Sequence, residues 1–258
     1  MKRFRLSLAA LSSALTVALT SSTAFAVPPA DVCGGLPNHQ QLKAALTAAK
    51  AEKNGGFALE MWGAVVNRDG IVCAVAYTGA DRGAQWPGSR LIAISKAYTA
   101  NAFSLPALSV STANLYSAVQ PGGPLFGLAN GNPLDVSTAY RGVGVAFGME
   151  NDPLVGDRVG GMITFGGGLA LYNAEKKLLG GIGVSGDSSC ADHNIAWRAR
   201  NTLNLDYVPG GVSADTTRAD NIVYDLRKLT GNSASGWGHP ECSKDVANIS
   251  KSLAVTRK

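Results

Sequence analysis

The spacing of apolar residues predicts three amphipathic helices in the chain. Between residues 41 and 53 apolar side chains recur three and four positions apart, and an Asn-Gly-Gly helix stop follows. The same helical spacing returns at about 91–103 and at about 191–203. In the last of these helices Arg200 falls on the polar side and is expected to point outward. A weaker pattern predicts one more helix at about 219–229.

Short runs rich in β-branched and aromatic residues predict five strands between these helices. The Asp69-Gly70 pair stands between the first two runs and indicates a hairpin, because the turn requires a positive φ. A triple glycine and a polar turn separate the last three runs, which predict a meander. The five runs cover residues 61–66, 71–77, 161–165, 169–173 and 178–184.

The order of these elements indicates the fold class. A helix, a hairpin, a second helix, a long loop, a three-strand meander and a third helix follow one another. Mostly antiparallel strands with helices packed on them indicate an α+β domain rather than a parallel doubly wound one. The loop at 104–160 is rich in proline and glycine, and such a long loop is typical of a functional segment, a lid or a subunit contact.

The first 26 residues have the pattern of a secretory signal peptide. Three basic residues within the first five positions precede a largely apolar run at 6–20, and Ala-Phe-Ala at 24–26 is a small-x-small cleavage site. We therefore expect a periplasmic or secreted protein. No later stretch is apolar enough to cross a bilayer, so we expect no integral membrane segment after cleavage.

The chain is expected to consist of a signal peptide at 1–26, a lead-in at 27–40, one domain at 41–205 and a C-terminal extension at 206–258. The signal peptide carries three of the 23 basic residues and none of the 18 acidic ones, which leaves a net charge of +2 on the remainder. Because no cluster of lysine or arginine alternates with aromatic residues there, we expect no nucleic-acid partner.

Four cysteines in an exported chain predict two disulfides, and the residues alone leave all three connectivities open. No pair has CxxC spacing, which argues against a redox-active dithiol and against a zinc knuckle. Cys73 and Cys190 lie in or beside predicted regular elements, whereas Cys33 and Cys242 lie in flanking segments. A preference for pairing core with core joins Cys73 to Cys190 and Cys33 to Cys242.

The segment GGIGVSGDSSCADH at 180–193 raises the question of nucleophilic catalysis. Ser185 lacks the final glycine of a nucleophile elbow, and His193 would lie one helical turn from Ser188, a poor geometry for a Ser–His pair. The glycines instead suit a closely packed strand, and a serine followed by Asp192 suits the start of a helix. We therefore predict no catalytic residue in this segment.

Several short sequence blocks, which follow one another along the chain, together resemble the GlcG/HbpS family. The hairpin and the second helix carry the first two blocks, and the meander carries the next two. The block in the last helix resembles an exported subgroup described as heme-binding proteins, and the whole resemblance covers roughly residues 42–205. The blocks are Asp69-Gly70, Ser95-Lys96-Ala97-Tyr98-Thr99-Ala100, Gly166-Gly167-Gly168-Leu169, Gly183-Val184-Ser185-Gly186 and Cys190-Ala191-Asp192-His193-Asn194-Ile195-Ala196-Trp197.

The resemblance implies a profilin-like three-layer α/β/α sandwich around a five-stranded antiparallel sheet. It also implies assembly into homo-oligomers and binding of heme, with heme degradation proposed for parts of the family. The family's usual acidic pair at the start of the last helix is Asp192-His193 in this chain.

Heme needs an apolar slot and, as a rule, an axial ligand. His193 is the first candidate for that ligand because it belongs to the block that carries the resemblance, and His39 is the second because it precedes a family helix. His239 lies in the C-terminal extension. Other side chains that can ligate iron are Tyr98, Met61, Met149 and Met162.

The heme propionates need cationic partners, and three are candidates. Arg82 and Arg90 flank Trp86, so an arginine could hold a propionate while the indole stacks on the porphyrin. Lys96 lies on the second helix. The alternative reading of this segment is an ordinary surface loop. No C-x-x-C-H is present, which excludes covalent attachment of the c type.

A metal ion without heme is a separate hypothesis. Asp187, Asp192 and His193 could together bind iron or zinc across the turn before the last helix. The other carboxylates are scattered and indicate no dedicated site.

The leading hypothesis is an exported protein that binds or sequesters heme or a related tetrapyrrole. One alternative is a periplasmic enzyme that degrades heme or acts on a small metabolite. A second alternative is a non-catalytic oligomeric scaffold in which the long loop is an interface.

Overall fold

The computed structural model describes residues 32–258, so the predicted signal peptide at 1–26 lies outside the described residues. The main elements are α1 (His39–Ala51), β1 (Trp62–Asn67), β2 (Val72–Tyr77), α2 (Ser89–Phe103), β3 (Gly168–Tyr172), β4 (Leu178–Ser185), α3 (Ser189–Thr202) and α4 (Val246–Ser252). One-turn helices and 3-10 turns cover Ser117–Val119, Leu128–Gly131, Val136–Ala139, Gly144–Ala146 and Thr216–Arg218. Within 32–258, no helix is both long enough and apolar enough to span a membrane.

The strands form one antiparallel sheet in the order β2-β1-β4-β3. The described sheet has four strands, so the prediction of five is wrong. Residues 161–165, predicted as a strand, do not join the ladder. Their backbone bonds to side chains instead: Ile163 N donates to Thr99 Oγ1 at 3.0 Å, and Phe165 O accepts from Thr112 Oγ1 at 2.7 Å.

Helices cover both faces of the sheet, which gives the three layers that the family resemblance implies. α1 and α3 pack on one face, where Leu46 and Trp197 meet Val65 from the sheet. α2 packs on the other face, where Ile94 meets Val66. Alternate residues of a strand point to opposite faces, so each strand contributes to both cores.

The glycine-dense strand β4 lets α2 lie directly on the backbone. A Cβ at Gly183 would overlap the Ala93 carbonyl oxygen, and a Cβ at Gly181 would overlap that of Ala97. The interpretation of these glycines as packing residues is therefore consistent with the structure. At the end of β4, the Ser188 side chain accepts a hydrogen bond from Ala191 N and caps α3.

The C-terminal extension packs against the domain and is not the weak helix predicted at 219–229. Ile222 and Val246 form a small core with Cys190. A helix at 219–229 is absent because Asp220 and Asn221 turn inward to bond to buried groups of α3 and its surroundings. The short helix α4 was not predicted.

The disulfides join Cys33 to Cys73 and Cys190 to Cys242. The preferred pairing of Cys73 with Cys190 is therefore wrong. Cys73 lies on the edge strand β2, whereas Cys190 lies in the first turn of α3, which follows β4 along the chain. Strand β1 separates β2 from β4 in the sheet. Each disulfide instead ties a flanking segment to the element on which it packs.

Candidate functional site

His193, the first candidate for an axial ligand, is wholly buried. Its Nε2 accepts a hydrogen bond from Ile222 N at 3.2 Å and lies 3.2 Å from Asn221 Oδ1. Within the described chain its Nδ1 has no hydrogen-bond partner. Burial lowers the pKa of His193 to about 3, so the ring is neutral. A ligand role for His193 stays a prediction, and it would require the C-terminal extension to move away.

His239 is also buried, between the loop after α2 and the start of α3. Its Nδ1 lies 2.8 Å from Pro240 O, and its Nε2 accepts from Gly166 N at 3.3 Å. The imidazole packs against the ring of Tyr116, with 5.0 Å between the centroids. Burial lowers the pKa of His239 to about 4.

The two buried histidines predict a loss of stability in mild acid. Their folded pKa values, about 3 for His193 and about 4 for His239, lie below the value of about 6.5 for an unfolded histidine. The unfolded chain therefore binds more protons below pH 6.5, and stability falls as the pH is lowered. We expect each histidine to lower the free energy of unfolding by roughly 2 kcal/mol as the pH falls from 7 to 5.

Asp192 offsets part of this loss, because burial raises its pKa to about 6 and the folded state then holds a proton that the unfolded state releases. The offset is about 1 kcal/mol at pH 5. Urea unfolding at pH 7, 6 and 5 measures the net effect. His193→Gln should reduce the slope of the free energy of unfolding against pH. An equal slope in wild type and His193→Gln would contradict the role of His193.

His39, the second candidate, lies half-buried at the start of α1 beside the edge strand β2. Its Nδ1 is 2.9 Å from Val75 O. Because a carbonyl oxygen can only accept, Nδ1 carries the proton and Nε2 keeps its lone pair. Within residues 32–258, no hydrogen bond occupies Nε2. His39 therefore has one fixed nitrogen and one open nitrogen.

Three further residues surround this edge of the sheet. Lys43 lies one turn after His39 on α1, with its ammonium 5.4 Å from the centroid of the Tyr77 ring. The Tyr77 hydroxyl donates to the Met149 sulfur at 3.4 Å. We call His39, Lys43, Tyr77 and Met149 the β2-edge group. Lys43 and Tyr77 were not predicted; the i, i+4 spacing of His39 and Lys43 is the signal that could have indicated Lys43.

An exposed apolar surface adjoins the β2-edge group. It consists of four side chains of one loop that are between 41% and 75% exposed, and we call it the loop surface. The exposed Arg82 lies against the same loop, close to Gly144, and Trp86 is 56% exposed. Four exposed apolar side chains within ten residues of one loop make this loop a candidate contact region. The members of the loop surface are Tyr140, Val143, Val145 and Met149.

The two arginines predicted to hold propionates differ in their surroundings. The guanidinium of Arg90 is buried: its Nε donates to Asp152 Oδ2 at 2.8 Å, and it stacks 4.0 Å from the centroid of Phe147. Arg82 has no ion-pair partner within the described chain. A mostly apolar recess of about 470 Å³ lies beside Arg90, lined also by Leu91 and Tyr140.

Lys96 and the predicted metal ligands form internal contacts. Lys96 Nζ donates to Asp192 Oδ2 at 2.7 Å and to Val184 O at 3.0 Å, with both charged groups buried. Burial lowers the pKa of Lys96. Asp187 accepts from the backbone N–H groups of Phe57 and Leu59. The carboxylates and His193 form no ligand cluster within residues 32–258. A metal there stays a prediction, and it would have to displace Lys96 and backbone donors.

Arg200 does not point outward, contrary to the prediction from the helical pattern. Its side chain is completely buried, and it forms a bidentate pair with Asp220 at 2.5 and 2.9 Å. It also donates to Ala170 O and stacks over Trp197. The C-terminal extension supplies Asp220, which is why the pattern within α3 could not reveal this pairing.

Comparison with known proteins gives the following matches. The family model described as "Haem degrading protein HbpS-like" matches residues 38–201. The corrinoid adenosyltransferase PduO of Citrobacter freundii is 32% identical over 115 residues, which are 45% of this chain and 26% of that protein. The chain thus matches only about a quarter of the length of this curated relative.

Two solved structures are also similar. The crystal structure of a PduOC–heme complex is 25% identical with a TM-score of 0.44, and the match covers 64% of this chain and 91% of that one. The crystal structure of HbpS is 18% identical with a TM-score of 0.40, and the match covers 74% of this chain and 99% of that one.

Proposed function

Because the chain belongs to the HbpS-like family, we propose that it binds heme at the β2-edge group, with His39 as the axial ligand. The observation that carries the proposal is the state of the His39 ring. Nδ1 is held by the Val75 carbonyl at 2.9 Å, and Nε2 is open. Metal-binding histidines use this arrangement, in which a carbonyl on the other ring nitrogen sets the tautomer and the ring orientation.

The surroundings of His39 fit the other requirements of heme. The loop surface offers apolar side chains for the porphyrin face, and the Tyr77–Met149 hydrogen bond connects this surface to the β2-edge group. Lys43 and Arg82 are exposed cations with no ion-pair partner in residues 32–258, so they are available to propionates. When bound, heme supplies an iron that accepts nitrogen and sulfur ligands.

The protein's own residues would position the group and limit its contact with water. The Val75 carbonyl holds the His39 ring, and Tyr77 holds Met149 near the same edge. Lys96 and Arg90, predicted to hold propionates, are buried in ion pairs with Asp192 and Asp152. We therefore assign the propionate role to Lys43 and Arg82 within this proposal.

We propose further that the protein acts outside the cytoplasm, in the periplasm or as a secreted protein. The two disulfides support this location, because disulfides persist in oxidising compartments. The signal-like pattern at 1–26 supports it as well. Assembly into homo-oligomers through the loop surface is part of the same proposal, and sedimentation of the purified protein tests it.

A hemin titration of the purified protein tests the heme proposal. We expect a shifted Soret band in wild type, and a loss of heme affinity of at least about tenfold in His39→Ala, because the axial ligand is gone. The buried His193→Gln is the matched control and should bind as wild type does. Unchanged binding in His39→Ala, with loss in His193→Gln, would contradict the β2-edge site and favour the last helix.

A further inference from the structure

A group of potential metal ligands lies away from the β2-edge group. Cys190, Cys242 and His239 each offer one ligand atom, and these atoms all lie within 4.8 Å of one another. Cys190 stands in the first turn of α3, whereas the other two residues come from the C-terminal extension. The two sulfurs form a disulfide in this structure.

We propose that the Cys190–Cys242 disulfide masks a zinc site, which consists of both cysteine thiolates and the imidazole of His239 and forms on reduction. Thiolate and imidazole are the ligands that zinc prefers, and three protein ligands leave a fourth position for water. The site belongs to the junction of α3 and the extension, and it is independent of heme binding at His39.

The surroundings of the sulfurs suit thiolates. Cys190 N donates to the Cys242 sulfur at 3.3 Å, and the Ser189 hydroxyl lies 3.5 Å from the same atom. Cys190 lies at the N-terminus of a 14-residue helix, where the helix dipole favours a negative sulfur. The fold thus places hydrogen-bond donors beside the sulfur that would carry a negative charge in the reduced, metal-binding form.

The His239 ring keeps a lone pair on one of its two nitrogens. The Pro240 carbonyl lies 2.8 Å from Nδ1, which places the proton there and leaves the lone pair on Nε2. Nε2 accepts only a long hydrogen bond of 3.3 Å from Gly166 N.

The conversion balances as a thiol–disulfide exchange followed by metal binding. A dithiol reductant transfers two electrons and two protons to the S–S bond and becomes a disulfide itself. Zn²⁺ then forms two Zn–S bonds and displaces the two thiol protons into solvent. Exchange with a disulfide oxidant, which accepts two electrons and becomes a dithiol, reverses the sequence and releases the ion. Cys242 is exposed, so the reductant can reach the bond from solvent.

Zinc uptake by oxidised and reduced protein tests the proposal. The double variant Cys33→Ser/Cys73→Ser removes the other disulfide and leaves one pair of sulfurs to titrate. The protein is reduced with a dithiol, which is then removed without oxygen, and zinc is added against a chromophoric chelator. We expect one zinc per reduced chain and none per oxidised chain. Cobalt(II) should give sulfur-to-metal charge-transfer bands with the ligand-field bands of a tetrahedral site.

Two ligand variants in the same background make the test specific to this site. Cys242→Ser and His239→Gln should each weaken zinc binding by at least about tenfold. Circular dichroism follows the fold of every form. If the double variant fails to fold, reduced wild type is compared with Cys242→Ser instead.

Several results would overturn the masked site. They are equal zinc uptake by the oxidised and reduced forms, uptake that both ligand variants leave unchanged, or no uptake by reduced protein. If reduction unfolds the chain and zinc does not restore the native spectrum, the proposal is also wrong. The hemin titration of oxidised wild type, in which the Cys33–Cys73 disulfide beside His39 is intact, reads out the His39 site separately, so failure of one proposal is distinguishable from failure of the other.

Discussion

Replacing Asp220 with alanine is expected to lower the free energy of unfolding by about 3–5 kcal/mol, because it leaves a buried guanidinium without its counter-ion. Arg200 and Asp220 are both completely buried, and their two hydrogen bonds measure 2.5 and 2.9 Å. Asp220 also accepts from the Ser109 hydroxyl at 2.7 Å. The substitution therefore removes partners from two buried donors at once.

The matched control is Asp215→Ala, which breaks an arginine–aspartate pair at the surface. Asp215 lies 2.8 Å from Arg218, and its side chain is 44% exposed. Water screens such pairs, and Asp215 also accepts from Thr217 N at 3.0 Å, so the expected loss from the pair and the exposed cap is about 1–2 kcal/mol. Urea unfolding, followed by tryptophan fluorescence and circular dichroism, measures both variants. Equal losses would show that the Arg200–Asp220 pair is not the buried contact described above.

Replacing Lys96 with methionine is expected to cost a similar amount, about 3–5 kcal/mol at pH 7, because Asp192 is left buried without its ammonium partner. Lys96 Nζ lies 2.7 Å from Asp192 Oδ2, and neither side chain is more than 1% exposed. Methionine keeps much of the length of the lysine stem, so the main change is the loss of charge. Urea unfolding at pH 7 measures the effect.

The effect of Lys96→Met on the free energy of unfolding should also depend on pH in a definite direction. Burial already raises the pKa of Asp192 to about 6 in the wild type, against the opposing effect of Lys96. Without Lys96 this pKa rises further, so the folded state keeps a proton that the unfolded state releases above about pH 4. Relative to wild type, which shares the buried histidines, the stability of Lys96→Met should therefore decrease as the pH rises from 5 to 7.

The control for this pH dependence is the double variant Lys96→Met/Asp192→Asn. Asparagine retains an oxygen that can accept from Asp187 N, which donates to Asp192 Oδ1 at 2.9 Å in the wild type. Because no buried carboxylate remains, part of the lost stability should return and the dependence on Asp192 should vanish. If the single and double variants show the same slope between pH 5 and pH 7, the assignment to Asp192 is wrong.

Local patterns predicted the three main helices and the hairpin, although the weaker pattern at 219–229 was misleading. The spacing at 41–53 anticipated α1, and the Asp69-Gly70 turn lies between β1 and β2 as expected. The glycines before Cys190 were interpreted as packing residues, and α2 does lie on them. The helices and the hairpin are readable because they depend on neighbours within a few residues along the chain.

The errors concern contacts between distant segments. Residues 161–165 look like a strand, yet side chains of Thr99 and Thr112 take their backbone bonds. Arg200 looks like a surface residue until Asp220 is brought in from the extension. The disulfide partners depend on sheet order, which spacing along the chain does not contain.

The candidate site was predicted only in part. His39 and His193 were both identified as possible ligands, and the family block favoured His193. The choice depends on what covers each ring: Ile222 and Asn221 bury His193, whereas His39 keeps an open nitrogen at the sheet edge. Neither covering residue lies in the block that carries the resemblance.

The amino-acid sequence alone determined the family, the three main helices, the hairpin and the presence of two potential disulfides, because short-range periodicity and residue type encode these features. The tertiary structure decided which histidine nitrogen is open, which charges are buried in pairs and which cysteines meet. Those properties arise where segments far apart in the chain pack together and exclude water, and no local pattern records that contact.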